Sequence, residues 1–155
     1  VVGGGVNFAQ LPPPAPPADA PRVLFIGRDF ARKGGDLLLA AFGRARRQIP
    51  DAELWLVTDR ADLAGPGVRR IAPTYDRAAI AALYAQSALF AHGESGLLVP
   101  PDDVDALAAA LATLLANAPL RRRMGAAGRA RVEAQFTWAH VAERMLPLLT
   151  RFAIP

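Results

Sequence analysis

Short, unbroken apolar runs alternate along this chain with stretches whose apolar residues recur at helical spacing. The runs RVLFIG, AELWLVT, VRRIA and ALFA, at 22–27, 52–58, 68–72 and 88–91, are too short for helices. Turn residues bound them, so they predict buried strands. Between the first two, GGDLLLAAFGRARRQIP sets Leu38, Ala41, Phe42, Ala45 and Ile49 on one stripe, and Pro50 ends the helix. Between the third and fourth, YDRAAIAALYAQS predicts a helix with Ile80, Leu83 and Tyr84 turned inward. Continuous apolar strands alternating with amphipathic helices indicate a parallel sheet covered on both faces. Past residue 92, GLLVP predicts one more strand-like piece, followed by helices over 103–117, 119–135 and 137 to about 152. The fold class is therefore α/β, a Rossmann-like parallel sheet flanked by helices with a helical C-terminal tail.

Ahead of the first strand, LPPPAPPADAP cannot be a helix or a central strand, because proline lacks the amide donor and fixes φ. It predicts a stiff linker. The preceding VVGGGV matches half of a dinucleotide fingerprint, but prolines follow where strand, turn and helix are required, so linker is the better reading.

Composition narrows the function classes only slightly. With 155 residues, 52% hydrophobic and 21% charged, the chain suits one folded domain. A net charge of +4 and a pI near 10.6 favour anionic partners without naming one. The absence of cysteine excludes disulfides and thiolate-bound metals and fits the cytoplasm. No targeting segment is visible, and the longest apolar stretch, ALAAALATLLANA, falls short of a bilayer span. A first residue of valine leads us to expect a fragment or a processed piece.

Candidate chemistry gathers in GRDFARKGG, residues 27–35, which holds Lys33, the one lysine among 18 basic side chains. A strand ends at Ile26 and a helix begins near Gly35 or Asp36. Ligands of parallel sheets bind beyond the carboxyl ends of strands, and helix N-termini attract anions. Gly34 and Gly35 permit unusual backbone angles and close approach. Arg28 can fork two phosphate oxygens, while Lys33 is a compact charge on a flexible stem. Spacing alone leaves two readings open: a phosphate or pyrophosphate site, or a glycine-rich turn carrying two solvated charges.

Resemblance adds to this. VLFIGRDFARKGGDLLLAAFGRAR…PDAELWLV resembles the donor-binding half of glycosyltransferase family 4, retaining enzymes of the GT-B fold, with its F-V-G-R…K-G pattern. IAALYAQSALF is similar to that family's L-x-x-L-Y-x-x-A-D-x-F stretch. The run from HGESGLLVPPDD through RRRMGAAGRARVEAQFTW resembles its C-terminal tail, and VVGGGVNFAQL its interdomain linker. The resemblance covers nearly the whole chain. It implies an interdomain linker at 1–21, a nucleotide-sugar (donor) binding domain at 22–136 and a C-terminal crossover helix at 137–155. It also implies that Arg28 and Lys33 bind the donor's pyrophosphate and stabilise the departing nucleoside diphosphate, with Gly27, Gly34 and Gly35 completing the donor site. Removing such a transition-state donor typically costs about 2.7–4 kcal/mol.

One block of the family pattern is missing. SALFA runs directly into HGESGLLV, whereas relatives insert a helix with paired glutamates, a strand and a loop. Either the gene carries a deletion at Ala91–His92, or a segment is absent from this sequence. Glu94 lies in the later glycine turn and does not replace the missing glutamates. The family's acceptor-binding N-terminal domain is missing too, so the chain alone is expected to be inactive. The implied partners are a nucleotide-diphospho-sugar donor and, for a full-length enzyme, a glycan or lipid acceptor. No cofactor, metal or nucleic acid is expected. The location implied is cytoplasmic, including the inner face of the membrane for a peripheral full-length enzyme. A non-catalytic Rossmann-like interaction module, or a degenerate pseudoenzyme, is the alternative. An epimerase sharing the GT-B fold is weaker, since acid and base residues are not evident.

Other motifs have plainer readings. Asp103 and Asp105 match D-x-D but suit an N-cap and a first helical turn, not a metal site. His92 and His140 are too far apart to suggest a ligand pair, and Thr137 suits the cap of the last helix. RRRMGAAGRARV lacks interleaved aromatics and reads as a solvated helix face. Phe136 and Trp138 are expected to anchor the last helix. Thr58 and Pro73 stand where many relatives have glycine.

Overall fold

A computed structural model describes residues 20–76, 78, 79, 82, 83 and 96–151, with side chains described as far as residue 147. Its strands are β1 (Arg22–Ile26), β2 (Glu53–Val57) and β3 (Val68–Ile71). They form a parallel sheet in the order β1-β2-β3, with Val23 opposite Leu54 and Leu54 opposite Val68. The helices are α1 (Gly35–Arg46), α2 (Val104–Ala116), α3 (Ala118–Gln135) and α4 (Trp138–Arg151). The α/β, Rossmann-like class read from the sequence is what the described residues form.

Strand alternation decides where the core lies. Leu54 and Leu56 of β2 are fully buried on the face that meets α1 and α2. There they join Val23, Ala41, Phe42 and Ala45, together with Ala108, Leu111, Ala112 and Leu115 of α2. Three of the five residues assigned to the α1 stripe are buried, while Leu38 and Ile49 are partly buried and packed against the core. Trp55 turns the other way and lies between two guanidiniums, with Arg22 3.8 Å and Arg69 4.7 Å from its ring centroid. Glu53 accepts hydrogen bonds from Arg22 Nε and Trp55 Nε1, which fastens the start of β2 to β1.

Helix α1 stops at Arg46, four residues ahead of Pro50. The chain needs Ile49 to Ala52 as a turn, in which the Ala52 amide donates to the Ile49 carbonyl, in order to enter β2. Asp103 is the N-cap of α2, its carboxylate accepting from the Ala106 amide, and Asn117 caps α3 in the same way. Asp105 pairs with Arg44 across the α1–α2 contact.

Three sequence expectations need correction. GLLVP is irregular, because a strand requires a hydrogen-bonded neighbour and none pairs with it among the described residues. Trp138 is not an anchor: it is 55% exposed, and Val141, one turn later, is the buried residue among those of α4 whose side chains are described. Arg121, read as part of a solvated face, donates to the carbonyls of Leu114 and Leu115 and so closes the C-terminus of α2. Residues 1–19 of the expected linker at 1–21, Ile80, Tyr84, the strand at 88–91 and the Ala91–His92 seam, with Glu94, lie outside the described residues.

Candidate functional site at the carboxyl edge of the sheet

The loop from Gly27 to Gly34 is a built turn. Its keystone is Phe30, 2% exposed, whose ring meets Phe25 edge-on with centroids 5.1 Å apart. Asp29 closes the loop beneath it, accepting from the Arg32 amide through Oδ1 and from Arg32 Nε through Oδ2. That guanidinium lowers the Asp29 pKa, so the carboxylate stays charged. The amides of Lys33, Gly34 and Gly35 donate in turn to the carbonyls of Asp29, Ala31 and Phe30.

Each glycine of the motif has a definable task. Gly34 is the N-cap of α1 at φ 74°, left-handed backbone that an L side chain rarely adopts. A β-carbon at Gly35 would come within 2.5 Å of the Phe30 ring, so glycine is required there by packing. One at Gly27 would lie 2.7 Å from Lys33 Cδ, so the lysine stem fills that space. The amides of Gly34 and Gly35 are spent inside the turn. Those of Asp36 and Leu37, next along the helix, lack a backbone acceptor among the described residues.

The two cations lie differently. Lys33 folds back over Gly27, and its Nζ is 3.5 Å from the Ile26 carbonyl oxygen, at the long limit of a hydrogen bond. Arg28 reaches across the sheet edge. Its Nε donates to Asp59 Oδ2 at 2.8 Å and its Nη1 to the Tyr75 hydroxyl at 2.7 Å. The hydrogen bond to Asp59 raises the Arg28 pKa above its ordinary value. Both cations are exposed. A third, Arg60, stacks on Phe30 with its carbon 5.2 Å from the ring centroid, and it pairs with Asp36 and Asp62. It holds the Asp62 carboxyl well below the usual range, to about 2.

Sequence reasoning missed Asp59 and Tyr75. Each stands shortly after a strand, β2 and β3 respectively. Polar residues just beyond the carboxyl end of every strand were the available signal. Thr58 is fully buried, its Oγ1 accepting from the Arg60 amide, so a threonine in place of glycine puts no side chain at the open edge. His140 lies far along the chain in α4, paired with Thr137 through Nδ1 at 2.7 Å.

Comparison with known proteins points in one direction. Residues 78–147 match a protein family described as glycosyl transferase-like, and that match runs across the Ala91–His92 seam. A GDP-mannose-dependent monoacylated alpha-(1-6)-phosphatidylinositol monomannoside mannosyltransferase of Corynebacterium glutamicum is 46% identical over 55 residues. That alignment takes in 36% of this chain and 14% of the relative. The sucrose-phosphate synthase of Thermosynechococcus elongatus superposes with a TM-score of 0.64 at 28% identity, covering 87% of this chain and 46% of that one. The chain thus spans less than half the length of either relative. Taken together, the similarities support a glycosyltransferase-like domain with the Rossmann-like architecture of GT-B enzymes.

Proposed function

We propose that this chain is the donor-binding part of a retaining, family 4-like glycosyltransferase, and that the edge carrying Arg28 and Lys33 takes the diphosphate of a nucleotide sugar. The observation that carries this reading is the placement of Arg28. It stands beyond β1, bonded to residues beyond β2 and β3, at the edge where parallel sheets receive ligands. A guanidinium has five N–H donors, and Asp59 and Tyr75 occupy two of them. Three remain for phosphate oxygens. The amides of Asp36 and Leu37, at the positive end of α1, add donors of the same polarity.

In the transfer itself, negative charge builds on the departing diphosphate as the bond to the sugar breaks. Cations fixed at that phosphate hold the transition state more strongly than the ground state, which lowers the barrier. Lys33 can follow the phosphate as it moves, because its long contact to the Ile26 carbonyl restrains it little. Arg28 is held from two sides and supplies the fixed point. The acceptor, a glycan or lipid, would be bound by a further domain. The reaction would be cytoplasmic, at the inner face of the membrane where the acceptor is a lipid.

Titration of UDP, GDP and ADP sugars against wild type and Arg28→Ala tests the reading. Binding of at least one of them, weakened at least tenfold by the substitution, is expected. Absence of binding by all three would favour a non-catalytic module.

A further inference from the structure

Arg28 leaves the first loop of the edge, yet what holds it belongs to the second and third. Asp59 follows β2 and Tyr75 follows β3, so one guanidinium ties together the loops beyond all three strands. Tyr75 is the more telling partner. It is 83% exposed, so burial of its ring does little for the fold, while its hydroxyl lies 2.7 Å from Arg28 Nη1. An exposed arginine otherwise samples many rotamers, and that freedom must be given up when it grips a ligand. A side chain already held loses less.

We propose that Tyr75 and Asp59 are positioning residues that hold Arg28 in its phosphate-binding orientation, an inference that rests on the donor-site reading above. The two have different costs. The tyrosine hydroxyl is neutral and does not oppose an incoming anion. The Asp59 carboxylate does oppose one, but the Arg28 charge beside it offsets that repulsion as long as the pair is intact. Asp59 is therefore useful only while Arg28 is present. Tyr75 likewise acts through Arg28.

The test is a double-mutant cycle on the 155-residue chain, with UDP, GDP and ADP as probes in calorimetric titrations. Tyr75→Phe keeps the ring and removes only the oxygen. It should weaken the bound nucleotide about threefold to tenfold, the worth of one hydrogen bond. In an Arg28→Ala background the same change should cost nothing further. Asp59→Ala should weaken binding when Arg28 is present and strengthen it or leave it unchanged when Arg28 is absent. Tyr75→Phe binding as tightly as wild type overturns the proposal. So does an equal loss in both backgrounds, which would mean that Tyr75 touches the nucleotide itself. If Arg28→Ala binds all three nucleotides as wild type does, the donor-site reading fails first and takes this inference with it. Because both positions are exposed, the variants should unfold at the wild-type midpoint, which separates a lost orientation from a lost fold.

Discussion

Replacing Lys33 by alanine isolates one charge from the rest of the carboxyl edge. The side chain is exposed and its Nζ makes only a 3.5 Å contact to the Ile26 carbonyl, so folding stability should stay within about 0.5 kcal/mol of wild type. Binding is another matter. An ammonium about 4 Å from a phosphate charge interacts by about 1 kcal/mol in bulk water and about 4 kcal/mol at a partly shielded surface. The openness of this edge argues for the lower part of that range, about 1–2 kcal/mol, or a fivefold to thirtyfold loss of affinity for a nucleoside diphosphate. Screening supplies a second signature. Raising ionic strength from about 0.01 M to 1 M shortens the Debye length from about 30 Å to 3 Å, so the ratio of wild-type to variant affinity should shrink. Calorimetry with UDP, GDP and ADP at several salt concentrations reads both quantities. A wild type that binds while Lys33→Ala binds within about twofold at low salt would refute the assignment.

Three further outcomes follow from contacts in the structure. Gly35→Ala should destabilise the fold by about 1–3 kcal/mol, since its new methyl would meet the Phe30 ring at 2.5 Å; the urea midpoint measures this. Asp103→Ala removes the carboxylate that accepts from the Ala106 amide and should cost about 1 kcal/mol in the same experiment. Asp62 has its folded pKa lowered from 3.8 to about 2 by Arg60, so its contribution is present above pH 4 and is lost as pH falls towards 2. Unfolding followed from pH 5 to pH 2 should therefore show the difference between wild type and Asp62→Asn closing over that window, and a difference constant with pH would contradict it.

Much of the fold was legible because strands and helices write different periods into the sequence. The stripe Ala41, Phe42 and Ala45 is buried as its spacing requires, and Asp103 caps the helix that its position announced. GLLVP misled because an apolar run is a necessary condition for a strand and not a sufficient one; pairing is a tertiary property. Trp138 misled for a related reason. Its size argued for burial, but the helix turns Val141 inward, and rotation about a helix axis is set by packing. The candidate site was legible in part. GRDFARKGG announced its cations and two glycines free to take unusual angles, but it could not reveal that Gly34 is the left-handed one and that Gly35 yields to Phe30. Nor could it show that Arg28 is held by residues 31 and 47 positions away along the chain.

The charges at this edge set Lys33 apart from the arginines around it. Arg28, Arg32, Lys33 and Arg60 face Asp29, Asp36, Asp59 and Asp62, so the formal charges cancel. The cancellation is uneven, however. Arg28 pairs with Asp59 and Arg32 with Asp29, while Arg60 takes both Asp36 and Asp62, which leaves Lys33 as the cation of this group outside any close carboxylate pair among the described residues, its charge reaching Asp29 only at longer range. Planar guanidiniums suit the carboxylate pairings, since a fork can hold two oxygens in fixed directions. The Lys33 stem lies over Gly27 with its ammonium held only by a long contact to the Ile26 carbonyl, and on the donor-site reading proposed above that compact charge would be the one free to meet an anion. Such an edge attracts little at long range, where its charges sum to nothing, and acts only on a group that enters between them. Discrimination would then rest on contact, and the high pI of the whole chain would add only weak, salt-sensitive steering.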